Sequence, residues 1–71
     1  MMNVGVIGCG NIAETYFRAQ DYFNNINFIA CSDINLEAAK KASIEHNVEA
    51  LTIDEMLNSK NIDLILNLTI P

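Results

Sequence analysis

The chain has 71 residues, 51% of them hydrophobic, and a formal net charge of −5 from nine acids against four basic residues. That length allows one small domain with a marginal core, and so much apolar content at that size predicts a piece of something larger. The acidic balance argues against nucleic acid and anionic lipid as partners, because Arg18, Lys40, Lys41 and Lys60 make no patch beyond one Lys-Lys pair.

In chain order, Val4 to Ile7 is a short β-branched run of the kind a buried parallel strand shows. Gly8-Cys9-Gly10 follows as a tight turn. Apolar residues at Ile12, Ala13, Tyr16, Phe17, Ala19 and Phe23 then predict a helix from Asn11 to about Phe23, with Asn24-Asn25 closing it in the left-handed conformation. Ile26 to Ser32 reads as a second strand covered on both faces, stopping at Asp33. Asn35 caps a second helix to about His46, with Leu36, Ala39, Ala42 and Ile44 as its apolar stripe. Val48 to Leu51 is a brief third strand. Thr52 and Glu55 have capping-box spacing and open a short helix from Asp54 to Asn58. Asp63 stands at the entrance to a last strand, Ile62 to Leu68. The alternation βαβαβαβ implies a parallel sheet with right-handed helical crossovers. A hydrophobic last strand with nothing after it to cover it predicts that residues 1–71 are the first part of a longer protein.

The chemistry lies in Gly8-x-Gly10-x-x-Ala13, between a strand and a helix. Gly8 permits the turn out of the strand, Gly10 lets a pyrophosphate approach the backbone, and Ala13 lets the helix pack on the sheet. Asn11 and Ile12 present unpaired N–H groups at an electropositive helix end, which suits an anion. Asp33 ends the second strand 20 residues after Ala13, the separation expected of an acid that holds the adenosine ribose hydroxyls. That carboxylate would repel a 2′-phosphate, and Ile34 rather than an arginine follows it, so NAD is favoured over NADP. The bland readings stand beside these: a structural glycine turn, Asp33 as a cap for the next helix, and Asn11 as a plain N-cap. The fold class is α/β, a partial Rossmann fold with three αβα layers and strand order 3-2-1-4, and the cofactor crosses the carboxyl ends of strands one and four.

Other reactive residues read as structural. Cys9 sits in a variable slot of the turn with no partner base, so a small turn residue is favoured over a nucleophile. Cys9 and Cys31 make no CxxC or metal spacing, and reduced thiols point to a cytoplasmic protein. No basic segment precedes an apolar run, and no apolar stretch approaches the ~20 residues of a bilayer span, so no membrane partner is expected. His46, the only histidine, reads as a solvated residue at a helix end. No metal site is expected.

The stretches Val6 to Ala13, Cys31-Ser32-Asp33, Asp54 to Asp63 and Asn67-Leu68-Thr69-Ile70-Pro71 together resemble the N-terminal part of the Gfo/Idh/MocA oxidoreductases, across essentially all 71 residues. The resemblance implies a dehydrogenase parent that moves hydride between NAD and a sugar, cyclitol or related small-molecule hydroxyl substrate. It sets Thr69 and Pro71 near the nicotinamide half of the cofactor; Ile34, which follows Asp33, is a further cofactor-binding candidate. It also implies a histidine, a Glu-Lys-Pro segment and an α/β substrate domain after Pro71, and a parent that assembles as a homo-oligomer. Residues 1–71 would then hold half a cofactor site and no acid or base, and would not turn over substrate alone. The rival readings are a non-enzymatic NAD-sensing module, another enzyme class on this fold such as a nucleotide-sugar epimerase or homoserine-type dehydrogenase, and a fragment that binds nothing.

Overall fold

The computed structural model describes residues 1–69, apart from the side chain of Asn11. Its elements are β1 (Met2–Ile7), α1 (Asn11–Arg18), a 3₁₀ turn (Gln20–Tyr22), β2 (Ile26–Ser32), α2 (Leu36–His46), β3 (Glu49–Ala50), α3 (Ile53–Asn58) and β4 (Leu64–Asn67). All pairings in the four-stranded sheet are parallel, in the order β3-β2-β1-β4. The partial Rossmann architecture read from the alternation is therefore the observed one.

Two apolar clusters sandwich the sheet. On one face Val4, Val6, Phe28 and Cys31 meet Ala13 and Phe17 of α1 and Ala42 of α2. On the other, Ile7 and Ala30 meet Met56 of α3, with Ile29, Leu51, Ile62 and Ile65 around them. Consecutive strand residues point to opposite faces, so the continuous apolar run of β1 serves both. Gly5 lies under Met56: a Cβ there would come within 2.2 Å of the Met56 sulfur. The β1–β2 register also shifts between Val4 and Gly5.

Several boundaries differ from the sequence expectation, each for a local reason. The first helix stops at Arg18, not Phe23, and the chain tightens into a 3₁₀ turn that delivers Gln20 to β2. There Gln20 Nε2 donates to the Ile26 carbonyl at 2.6 Å, and its Oε1 accepts from Phe28 N–H at 2.6 Å. Those groups lie beyond the part of β2 that β3 pairs, which is Ala30 and Cys31 only. One carboxamide thus takes the place of a strand on that edge. Asn24 and Asn25 are not left-handed; among the described residues the one non-glycine with positive φ is Asn47 (55°), the C-cap of α2. Leu36 and Ile44 are exposed rather than part of the buried stripe of α2, which consists of Ala39 and Ala42. The capping box of α3 is complete, with Glu55 N–H donating to Thr52 Oγ1 and Thr52 N–H to Glu55 Oε1. Asp63 closes the base of β4, taking Asn3 N–H on Oδ2 at 2.8 Å while its own N–H donates to the Asn3 carbonyl.

Candidate functional site

The two glycines of the β1–α1 turn are there for different reasons. Gly8 has φ +99°, a region that favours glycine. A Cβ at Gly8 would also lie 3.2 Å from the backbone of Leu68 and Thr69, where the end of β4 passes. Gly10 has φ −84° and ψ −162°, which any residue adopts, and a Cβ there would meet nothing within 4 Å. The fold requires glycine at the first position and is indifferent at the second. A side chain at Gly10 would instead project into the open space over the first turn of α1.

Gly10 is the N-cap of α1, with no side chain capping it. Its carbonyl accepts from Glu14 N–H at 3.1 Å. Asn11 is therefore the first helical residue and not the N-cap that the sequence allowed. The opening N–H groups of a helix have no partner within it, and the macrodipole is positive at that end. Ala13 is 1% exposed, on the face of α1 that packs against the sheet.

Asp33 reaches this turn from the end of β2. Its Oδ2 accepts from Cys9 N–H at 2.7 Å and its Oδ1 from Asn35 N–H at 2.8 Å. It does not cap α2; Asn35 does, its Oδ1 accepting from Glu37 and Ala38 N–H. A carboxylate has about four acceptor positions, so two remain after these bonds. Across the turn, Leu68 N–H donates to the Ile7 carbonyl at 2.8 Å, which brings Thr69 alongside Gly8.

Gly8, Gly10, Ile12, Asp33 and Thr69 line one groove of about 450 Å³ at the carboxyl ends of β1 and β4. Of the remaining predicted site residues, Asn11 is the first residue of α1, Ile34 is exposed on the loop after Asp33, and Pro71 lies outside the described residues. Such a groove, at the point where strand order reverses, is where open α/β sheets bind ligands. Its donor and acceptor set fits a dinucleotide: open backbone at a helix N-terminus for a diphosphate, and a pre-anchored carboxylate for a ribose diol.

At Cys9, burial, then the neighbouring Cys31 thiol, then Asp33 push the thiol pKa up to about 12, which disfavours the reactive thiolate, and its Sγ donates to the Ser32 carbonyl at 3.4 Å. Burial likewise raises the Cys31 thiol. His46 is not solvated as the sequence suggested: its side chain is 13% exposed, and its ring stacks on Phe17 at a centroid distance of 5.0 Å. It lines a second, smaller cleft of about 220 Å³ between α1 and α2. There one donor atom each from Glu14, Glu45 and His46 lie within 4.8 Å of one another. Arg18 pairs with Glu14, Lys41 lies 4.0 Å from Glu45, and His46 Nε2 lies 3.8 Å from the other Glu45 carboxylate oxygen.

The sequence reading missed Asn67. Its Oδ1 accepts from both Thr69 N–H (3.0 Å) and Thr69 Oγ1–H (2.6 Å). An asparagine two residues before a threonine at a strand end is an Asx-turn pattern, which was the available signal.

A family model described as the oxidoreductase family, NAD-binding Rossmann fold, matches residues 2–71. The chain belongs to this family. It is 39% identical over 69 residues to an L-aspartate dehydrogenase of Methanococcus maripaludis, covering 93% of this chain and 26% of that protein. The myo-inositol dehydrogenase of Lactobacillus casei, solved with NAD(H) and myo-inositol, superposes with a TM-score of 0.82 at 25% identity, over 97% of this chain and 22% of that one. A 3-ketoreductase of Actinomadura kijaniata, solved with NADP and TDP-benzene, shares the fold with a TM-score of 0.79 at 23% identity, over 90% of this chain and 20% of that one. The family member described here thus spans about a quarter or less of the length of these relatives.

Proposed function

We propose that this chain is the dinucleotide-binding part of a nicotinamide-dependent dehydrogenase, holding the diphosphate over the N-terminus of α1 and the adenosine ribose on Asp33. One observation carries the reading: Gly10 has an ordinary conformation in open space, so the fold does not need glycine there, and a backbone without a side chain is what a diphosphate approaching the turn would require. The two acceptor positions left on Asp33 suit a pair of ribose hydroxyls, with Ile34 beside the adenosine. NAD is the proposed cofactor rather than NADP, because a 2′-phosphate would face a like charge with no arginine beside it. Thr69 and Pro71 are assigned to the nicotinamide half.

When bound, the nicotinamide ring supplies the hydride chemistry. The residues of this chain bind and orient it. Gly8 leaves room for the end of β4, which Leu68 N–H fastens to the Ile7 carbonyl, and Asp33 ties the turn to β2 through Cys9 N–H. Residues 1–71 form the N-terminal part of the binding domain, and the acid–base groups and substrate domain belong to the rest of a cytoplasmic, homo-oligomeric parent. The substrate is a small hydroxyl compound of the sugar or cyclitol class, in line with the inositol dehydrogenase likeness. A second reading, oxidation at the amino-bearing carbon of an acidic amino acid, is favoured by the 39% identity to an aspartate dehydrogenase.

Calorimetric titration of the full-length protein with NAD and NADP tests the cofactor reading. Asp33→Ala is expected to weaken NAD by about tenfold or more and to narrow the gap between the two cofactors, as loss of hydrogen bonds to a charged acceptor should. Unchanged affinity and unchanged preference would reject the ribose assignment. Assay of myo-inositol against L-aspartate decides between the substrate classes.

A further inference from the structure

Asn67 ends β4 opposite Ile7, and its side chain turns forward onto Thr69. The Thr69 backbone N–H can only donate, so the Asn67 atom facing it at 3.0 Å must be the carbonyl oxygen Oδ1. The same oxygen lies 2.6 Å from Thr69 Oγ1. Because Oδ1 only accepts, the hydroxyl proton must point at Asn67. Both donors of Thr69 are therefore engaged, and what its hydroxyl can still offer a ligand is lone pairs.

We infer that Asn67 is a positioning residue that fixes Thr69 as a hydrogen-bond acceptor towards the groove, selecting a donor-bearing part of the ligand and rejecting phosphate oxygens. The inference rests on the dinucleotide reading proposed above. It divides the groove by polarity. The N-terminus of α1 offers donors, which suit the acceptor-only diphosphate, while Thr69 across the turn offers an acceptor. The parts of a nicotinamide dinucleotide that can donate on the far side of its diphosphate are the ribose hydroxyls and the carboxamide NH₂. With Asn67 shortened, the Thr69 hydroxyl would rotate freely and the Thr69 backbone would lose its turn, so the acceptor would no longer be held ready.

The test is calorimetric titration of the full-length protein and its variants with NAD, AMP, ADP-ribose and the 3-acetylpyridine analogue of NAD, which lacks the amide N–H. Asn67→Ala is expected to weaken NAD by about three- to tenfold, the range of one or two neutral hydrogen bonds, and to leave AMP unchanged. Asn67→Ser, whose hydroxyl makes a weaker version of the same turn, should fall between wild type and Asn67→Ala. Asn67→Ala added to Thr69→Val should cost no more than Thr69→Val alone. A loss shared by ADP-ribose assigns the donor to the ribose, and a loss absent for the 3-acetylpyridine analogue assigns it to the carboxamide. Wild-type affinity for NAD in Asn67→Ala, or an equal loss of AMP and NAD, overturns the inference alone. Failure of the wild-type protein to bind NAD overturns the cofactor reading, and the inference with it.

Discussion

Two glycines two residues apart answer to different constraints, and substitution separates them. At Gly8 an alanine must take φ +99° and bring its Cβ to 3.2 Å from the backbone of Leu68 and Thr69. Backbone cannot yield as a side-chain tip can, so Gly8→Ala is expected to lower unfolding free energy by about 2 kcal/mol or more. At Gly10 the conformation is ordinary and the space open. Gly10→Ala should therefore leave the urea midpoint within about 0.5 kcal/mol of wild type, while weakening NAD by about tenfold or more. Unfolding curves and cofactor titrations on the two variants check both halves. Equal destabilisation by both substitutions would mean that Gly10 is structural after all. The six-residue fingerprint and the separate jobs of its two glycines were legible in the sequence, but the constraint that the end of β4 places on Gly8 was not. The sign of φ and the passage of a distant strand end are properties of the assembled sheet.

Among the elements, those fixed by local chemistry were readable and those fixed by a distant partner were not. Asn35 and the Thr52–Glu55 box mark helix starts with groups three residues apart, so α2 and α3 began at or within one residue of where the sequence put them. The end of α1 depends on what β2 lacks. Apolar periodicity continues to Phe23, yet the chain leaves the α-helix at Arg18 so that Gln20 can satisfy the β2 edge that the two-residue β3 leaves open. That trade follows from the cost of an unpaired backbone group and has no spacing signal. Gln20→Ala is expected to cost about 1–2 kcal/mol in urea unfolding, since the Phe28 N–H and Ile26 carbonyl are only partly buried and water recovers some of the loss. Gln20→Glu keeps an acceptor for Phe28 but loses the donor to Ile26, and should fall between. Amide exchange at Phe28 should quicken in Gln20→Ala and stay slow at Val6, in the centre of the sheet.

At the scale of the whole molecule, charge sets the problem. In the proposed mode a chain of net charge −5 takes up a ligand that is itself anionic, so attraction at the N-terminus of α1 would work against the general field. The Asp33 carboxylate sharpens this locally, because its anchoring by Cys9 and Asn35 N–H groups keeps it at the groove. In the proposed mode NADP differs from NAD by a phosphate that would sit against that carboxylate. Two like charges about 4 Å apart repel by about 1–4 kcal/mol at effective dielectrics between bulk water and a protein surface. NAD is accordingly expected to bind about 10- to 100-fold more tightly at low salt. The groove is open to solvent, so added salt should narrow that ratio, since the Debye length falls from about 30 Å at 0.01 M to about 8 Å at 0.15 M ionic strength. Asp33→Ala removes the repulsion at its source and should flatten the salt dependence of the ratio. Adding Ile34→Arg, at a position 86% exposed and free to carry a long side chain, should invert the preference through a charge-assisted bond to the 2′-phosphate. Titrations of both cofactors at three ionic strengths, in wild type, Asp33→Ala and the double variant, decide the matter. A wild-type ratio indifferent to salt and to Asp33 would show that discrimination does not arise from the carboxylate.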